Sequence, residues 1–268
     1  SITVINPLEK IWNGYSDTRM GASMDSYLNG YNDPRLPVYF QPVTDGDNKG
    51  EYRGVANGMP NPQQEDYKAM SSPNVQEKST DSPLRWMMAS EVAFLRAEGA
   101  MRGWTAEMGG TAEEFYNKGI ELSFLENGLS ADAAARYAAD ETSKPTDFTD
   151  VSAANTKYNI SALGKIAIKW NSGASEEEQL ERIITQKWIA MFPNGTEAWS
   201  EFRRTGYPRL FPVRYNYPSS GVDTNKQIRR MVFPQSEYSN NGAAVQEAVK
   251  LLGGPDNGGT KLWWDKKN

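Results

Sequence analysis

Apolar positions fall into two regimes along this chain. From residue 83 onward they recur at helical spacing. Met88, Val92 and Leu95, with the small Ala89, Ala93, Ala97 and Ala100, form a packing stripe on a helix predicted over 83–102, with Ser82 as cap and Pro83 at the first helical position. Thr111 and Glu114 make a capping box before a helix that carries Phe115, Leu122 and Leu125 and stops at Asn127-Gly128. Residues 130–139 are alanine-rich and predict a third helix. Ile160, Leu163, Ile166, Ala167 and Trp170 keep helical spacing again, although Gly164 weakens it. Ser175 with Glu178 opens a longer helix whose Leu180, Ile183, Ile184, Trp188 and Met191 point inward. Pro193-Asn194-Gly195 breaks it. Thr196 is placed to cap the next helix, Arg203 and Arg204 sit in its last turn, Gly206 ends it and Pro208 bars its return. Trp188, Trp199 and Phe202 are available to fill the seam of this hairpin. A final helix is predicted over 243–252, closed by Gly253-Gly254.

The first 82 residues show no such period. They are rich in Asn, Asp, Gly, Pro and Tyr, and clusters such as Asn32-Asp33-Pro34 and Asp45-Gly46-Asp47 favour turns. Residues 36–40 and 52–55 alternate and predict short strands; 59–62 and 71–74 read as loop. An ordered loop region this long is uncommon in a compact domain and is often a binding surface or lid. The chain therefore divides into a loop-rich region, 1–82, as candidate ligand-binding surface, and a helical region, 83–268. The fold class is mostly α, with at most short strands. Helix pairs joined by short turns, with Ala and Gly at the crossings, suggest a tetratricopeptide-like layer. No 34-residue self-similarity is visible, so the repeat is degenerate.

Composition removes several chemistries. The chain has 268 residues, no histidine and no cysteine. Ser-His-Asp and Cys-His triads, His-ligated zinc, thiolate metals and disulfides are all excluded. A formal charge of -5 leaves no basic field for a nucleic-acid backbone. No apolar run approaches the roughly 20 residues that span a bilayer. Ser1 is not an initiator methionine and residues 1–10 are not a signal peptide, so the chain reads as a processed or truncated product, with any anchor upstream.

Four segments carry a resemblance: SEVAFLRAEGAMRGW (90–104), QKWIAMFPNGTEAWSEFRRTGYP (186–208), RRMVFPQSEYSNN (229–241) and TKLWWD (260–265). DPRLPVYF (33–40) adds a looser match. In this order they resemble the C-terminal portion of a SusD/RagB nutrient-binding protein of the gut Bacteroidetes type. The resemblance implies a SusD-like, tetratricopeptide-bearing helical fold. It also implies a non-catalytic lipoprotein, exposed on the cell outer membrane, that presents glycan to a SusC-like TonB-dependent transporter. RagB-type relatives present peptides, which keeps a peptide ligand open. A full family member is about twice as long and carries a lipidated cysteine and early helices that this chain lacks. The membrane contact implied is through that lipid anchor alone, and neither cofactor nor metal is called for.

Aromatic residues are the first binding candidates, because sugars have apolar C–H faces that pack on rings. Trp86, Trp170, Trp188 and Trp199 sit at helical spacing and read as core. One of Trp263 and Trp264 reads as a C-terminal clamp. Trp12, Tyr15, Tyr31, Tyr39, Tyr52 and Trp104 lie in or beside loops, where a ring is as readily a sugar platform as a core side chain. With Asn32, which could hydrogen-bond hydroxyls, they form the candidate ligand-binding set. Asp33, Asp45, Asp47 and Asn48 could assist, but turn chemistry accounts for them more simply, and the calcium-loop pattern around Asp45 is incomplete. A carboxylate-dependent glycoside hydrolase is the main rival. Its pair could come from Glu91 with Glu98 or from Glu197 with Glu201, each of which reads more simply as an ion-paired helix residue. Arg203, Arg204, Arg209 and Arg214 could clamp an anionic sugar or pair with nearby glutamates; the structural role is favoured.

Overall fold

The computed structural model describes residues 7–60, 62–74, 85–155 and 157–267. Its helices are α1 (Pro7–Glu9), continued by a π-helical turn over Lys10–Tyr15, then α2 (Ala22–Gly30), α3 (Leu36–Tyr39), α4 (Gln64–Tyr67), α5 (Ala89–Met101), α6 (Thr105–Met108), α7 (Ala112–Glu126), α8 (Ala131–Ala138), α9 (Glu176–Ala190), α10 (Gly195–Thr205) and α11 (Gln235–Leu251). Helix α5 packs on α7 and α9, α7 also packs on α8, and α10 folds back on α9. Among the described residues, β-structure is confined to isolated bridges, such as Gly21 with Val55 and Phe148 with Ile160.

Local sequence sets most helix ends. Thr111 Oγ1 accepts the Glu114 N–H at 3.2 Å while the Glu114 carboxylate accepts the Thr111 N–H at 2.8 Å, which completes the expected capping box of α7. Ser130 and Ser175 cap α8 and α9 by accepting the N–H groups of Ala133 and Glu178. Gly206 ends α10 at φ 77°, a left-handed position. The cap of α10 is Asn194 rather than Thr196: its side-chain oxygen accepts the Glu197 N–H at 3.2 Å, so the helix begins at Gly195. The last helix begins well before residue 243, at Gln235, and Asn241 kinks it (φ -144°, ψ 35°).

Four expected elements differ. The expected start at Ser82-Pro83 lies outside the described residues, and the helix proper begins at Ala89. Its buried face is Ala93, Phe94, Ala97 and Ala100, whereas Val92 and Leu95 are exposed, so the predicted stripe is only half correct. Residues 160–170 are not a helix. The Ile166 and Ile168 carbonyls, which a helix would use internally, instead accept the hydroxyls of Tyr31 (3.2 Å) and Tyr116 (2.5 Å). Gly164 passes so close to Tyr27 that a Cβ would lie 2.6 Å from its hydroxyl oxygen. Within residues 36–40, Leu36–Tyr39 form α3 rather than a strand, with Pro37 in the first turn, where no N–H is needed, and Phe40 makes an isolated bridge with Pro73. Residues 52–55 contribute only the Val55 bridge.

The main core joins Tyr27, Leu28 and Tyr31 from α2 to Phe94 and Ala97 (α5), Tyr116, Ile120 and Phe124 (α7), and Ile183, Ile184 and Ile189 (α9). Of the tryptophans expected inside, Trp170 is buried and Trp188 is half-buried, edge-on to Tyr27 at 5.7 Å. Trp199 is half-buried too and donates its indole N–H to the Ile228 carbonyl at 2.7 Å. Trp86 is the exception, at 88% exposed: it precedes α5 instead of lying on it. At the C-terminus, Trp264 is half-buried with the Arg203 guanidinium 5.1 Å above its ring, and Trp263 faces outward.

Charged side chains bridge the helices. Lys187 of α9, almost wholly buried, reaches Glu197 at 2.6 Å and Glu201 at 2.7 Å on α10. Arg204 of α10 binds Glu201 and also Glu98 of α5, each at 2.6 Å. Burial pushes the Glu98 carboxyl up, but hydrogen bonds and charge from Arg204 and Arg102 outweigh it and hold the group below its usual 4.5. A carboxyl lowered in the folded state contributes its full stability above its unfolded value and loses it as pH falls through the folded one. Glu98→Gln is therefore expected to flatten the dependence of Tm on pH below 4.5. Thermal melts over that range check it; an unchanged slope would mean that the pair is not a stability term.

Candidate functional site

The structure separates the candidate binding residues. Trp12 and Tyr39 are buried and meet across Phe192, which Trp12 stacks on at 6.0 Å and Tyr39 contacts at 4.8 Å. Tyr31 is wholly inside, and Tyr52 is half-buried against the core. These rings support the fold, and Tyr31 and Tyr39 have no face open to a sugar. Asn32 is exposed at φ 48°, with its amide 3.4 Å from the Ser143 hydroxyl. Tyr15 and Trp104 are exposed, the first at the end of the π-helical turn and the second between α5 and α6. Asp33 is buried against Arg35 at 2.6 Å. Asp45 accepts the N–H of Gly46, and Asn48 donates to Glu51, as turn residues do.

An exposed aromatic pair that the sequence reading passed over lies elsewhere. Tyr215 and Tyr217, 45% and 70% exposed, sit 5.6 Å apart with their planes at 73°. In locally extended chain, residues i and i+2 project to the same side, which explains why the two rings meet. Their backbone is pinned on the N-terminal side. The Val213 N–H donates to the Thr224 carbonyl at 2.9 Å and the Arg214 N–H to the Asn57 carbonyl at 2.8 Å. The Arg214 guanidinium lies 5.8 Å over the Tyr158 ring. Gly58 lets residues 57–58 press against this segment: a Cβ there would fall 2.4 Å from Val213 and 2.8 Å from the Tyr215 carbonyl.

Residues 57–58 also line a cleft of about 340 Å³, together with Asp17, Arg19, Met59 and Tyr67 among others. Arg19 builds its wall. Its guanidinium donates to the carbonyls of Ser16, Thr18, Tyr67 and Lys68 and lies 5.9 Å over the Tyr67 ring, which ties two loops together. Burial lowers its pKa, while Tyr67 and Asp17 act in the opposite direction. The Met20 N–H donates to the Ser71 carbonyl and the Val55 N–H to the Met20 carbonyl, which fixes the same loops from behind. One tyrosine ring, two methionines and a few polar groups suit an amphipathic ligand such as a sugar. Asp17 is the one carboxylate among the described lining residues. The paired glutamates considered for hydrolysis lie elsewhere, and three of the four are engaged by cations, Glu98 by Arg204 and Arg102 and Glu197 and Glu201 by Lys187, whereas Glu91 has no such ion pair among the described residues and burial pushes its carboxyl up. The arginines follow the structural reading: Arg209 binds Glu181, and Arg203 lies 3.6 Å over the Trp199 ring. One sequence signal pointed at the site, namely two tyrosines spaced i, i+2 within a Pro- and Asn-rich irregular stretch, at residues 215–218.

Comparisons with known proteins agree on one family. The model for the SusD-like family, described as Susd and RagB outer membrane lipoprotein, matches residues 1–265. No match is found among curated proteins. Among solved structures, a chitin-binding SusD homolog from Flavobacterium johnsoniae is 42% identical and superposes with a TM-score of 0.90 over 100% of this chain and 54% of its own. A SusD homolog from Bacteroides vulgatus is 38% identical, with a TM-score of 0.91 over 100% of this chain and 53% of its own. One from Bacteroides thetaiotaomicron is 41% identical, with a TM-score of 0.89 over 99% and 55%. The chain spans about half the length of these structures. With a family model matched over nearly all its residues and relatives this similar in sequence and backbone, the chain belongs to the SusD-like family.

Proposed function

We propose that this chain is part of a non-catalytic nutrient-binding lipoprotein that captures an oligosaccharide at the surface of the outer membrane and hands it to a SusC-like TonB-dependent transporter. The observation that carries the reading is the exposed Tyr215–Tyr217 pair on a pinned backbone beside the Arg19 cleft. The family's outer-membrane lipoprotein character and the chitin-binding relative support glycan as the ligand class. The cleft lining offers Asp17 without the second described carboxylate that most glycoside hydrolases use, which favours capture over turnover. A shallow, partly wet site with few ring contacts binds weakly, and weak binding suits transfer onward.

The test is affinity electrophoresis in gels that contain a panel of polysaccharides, run with the parent chain and with Tyr217→Ala. At least one polysaccharide is expected to retard the parent, and loss of the ring is expected to weaken that binding by roughly tenfold, about 1.4 kcal/mol. Tyr217 is mostly exposed, so the variant keeps its fold, which an unchanged Tm verifies. Retardation by none of the panel, or equal retardation of both proteins, rejects glycan capture at this platform.

A further inference from the structure

We propose that a second cleft, beside the turn at 223–227, is a subsite for a carboxylate-bearing sugar such as a hexuronate, an inference that rests on the glycan-capture reading above. The cleft has a volume of about 420 Å³. Leu163, Leu210 and Pro212 give it apolar lining. Three cations, Arg209, Lys226 and Arg229, line it too, and no carboxylate does among the described lining residues. Their counter-charges, Glu181, Asp223 and Asp265, are not part of that lining, so the charge offered to a ligand is positive.

Two of the cations keep binding capacity in reserve. Arg229 does not: its guanidinium is spent on Asp265 and on the carbonyls of Arg203 and Lys226. Arg209 commits only its Nε, to the two oxygens of Glu181 at 3.1 and 3.2 Å. Its two Nη groups donate to no acceptor among the described residues, and its side chain is 51% exposed. The Lys226 ammonium has neither a hydrogen bond nor an ion pair among the described residues. Asp223, whose charge acts on it, turns one carboxylate oxygen to the N–H groups of Asn225 and Lys226, at 2.8 and 2.9 Å.

Both free cations are held in place. Arg209 is fixed by Glu181 and by the Tyr207 ring, 5.4 Å from its guanidinium. Lys226 stands in a turn that the Gln227 N–H closes on the Asp223 carbonyl at 2.8 Å, with Gln227 at φ 55°, a left-handed position that side chains seldom adopt. The Gln227 side-chain amide donates to the Phe211 carbonyl at 3.2 Å and the Val213 N–H to the Thr224 carbonyl at 2.9 Å, which fastens the turn to the segment that supplies Leu210 and Pro212. A planar guanidinium with unused Nη donors suits a carboxylate, and the ammonium adds a point charge. The aliphatic lining takes the C–H face of a sugar ring, whose hydroxyls stand at its rim. A peptide backbone would find nothing there to pair its N–H and C=O groups with, which favours the sugar.

Carboxylate and methyl ester forms of one oligosaccharide test this, because esterification removes the charge and keeps the rings. Isothermal titration would compare trigalacturonate and trimannuronate, each with its methyl ester. At least one acid is expected to bind about tenfold tighter than its ester, with an advantage that shrinks as salt screens the charge. Lys226→Glu should erase that advantage; Lys226 is exposed and its ammonium unpaired, so an unchanged Tm verifies the fold. Tyr217→Ala should leave the ratio of acid to ester as it is. Equal binding of acid and ester, or an advantage that survives Lys226→Glu, overturns the acidic subsite. A tripeptide ending in leucine that competes as well as the uronates overturns the assignment to a sugar. Glycan capture itself is decided separately, by neutral polysaccharides and Tyr217→Ala, so it can stand when the subsite falls.

Discussion

Replacing Arg35 with methionine is expected to destabilise the protein by about 3–5 kcal/mol, the usual cost of stripping one partner from a buried ion pair. Arg35 is fully buried and uses its whole guanidinium. Nε and Nη2 reach the two oxygens of Asp33 at 2.9 and 2.6 Å, Nη1 reaches the Ser123 hydroxyl at 2.9 Å, and Nη2 also reaches Gln186 Oε1 at 3.0 Å. The rings of Phe124 and Tyr137 flank it at 5.0 and 5.3 Å. Burial alone would favour the uncharged form, and the Asp33 carboxylate more than reverses that, which keeps the guanidinium charged. The site joins the segment before α3 to α7, α8 and α9, so it fastens the loop-rich region to the helices. Removing the cation leaves Asp33 charged in a dry interior, with the Tyr137 hydroxyl at 2.8 Å as its remaining side-chain donor. A drop in Tm on the order of 10 °C should follow. Asp33→Asn in the same chain should recover about 1–2 kcal/mol, because the orphaned charge is then gone. A single variant that melts within about 2 °C of the parent would show that the pair contributes little.

What the sequence made legible was local. Caps such as Thr111 with Glu114 and Ser175 with Glu178 act within one helical turn, and each is found where the spacing put it. The segment at 160–170 misled because its helical period was real but its carbonyls belong to Tyr31 and Tyr116, hydroxyls supplied by other parts of the chain. The same long-range effect governs the site. Tyr31 and Tyr39 were candidates because they lie in or beside turn-rich sequence, and contacts with Ile166 and Phe192 bury them. Tyr215 and Tyr217 could be seen only as two aromatics two residues apart, since nothing local announces that residues 57–58 brace them.

The family signature was legible as a string, while its physical content appears only in three dimensions. The four segments that carry the resemblance are wired to one another by charge. Glu98 of the first binds Arg204 of the second at 2.6 Å. Arg203, beside it, donates to the Arg229 carbonyl of the third at 3.0 Å and receives a bond from the Arg229 guanidinium at 2.7 Å. Arg229 closes a two-pronged pair with Asp265 of the fourth, at 2.8 and 2.7 Å. The looser match contains its own buried pair, Asp33 with Arg35. Each of these motifs supplies a partner that another uses.

Breaking that relay at Arg229 is the second large effect expected. Arg229→Met strands Asp265, whose side chain is wholly buried, and removes the hydrogen bond to the Arg203 carbonyl. The cost should be about 3 kcal/mol, most of it from an uncompensated carboxylate. Arg229→Lys should rescue it only in part, because an ammonium cannot reproduce the two-pronged fork. The loss has a place as well as a size. Residues 260–267 then keep the Trp264–Arg203 contact and the Lys267 contacts with Glu177 and the Tyr207 ring but lose their buried anchor, so limited proteolysis should nick the C-terminal segment before the helical layers. The platform tyrosines lie outside the relay, so the affinity of the platform for neutral glycan below the melting transition should change less than twofold. If Arg229→Met keeps the parent Tm and its C-terminus resists protease, the Arg203–Trp264 contact and apolar packing hold that segment, and the ion pair is incidental.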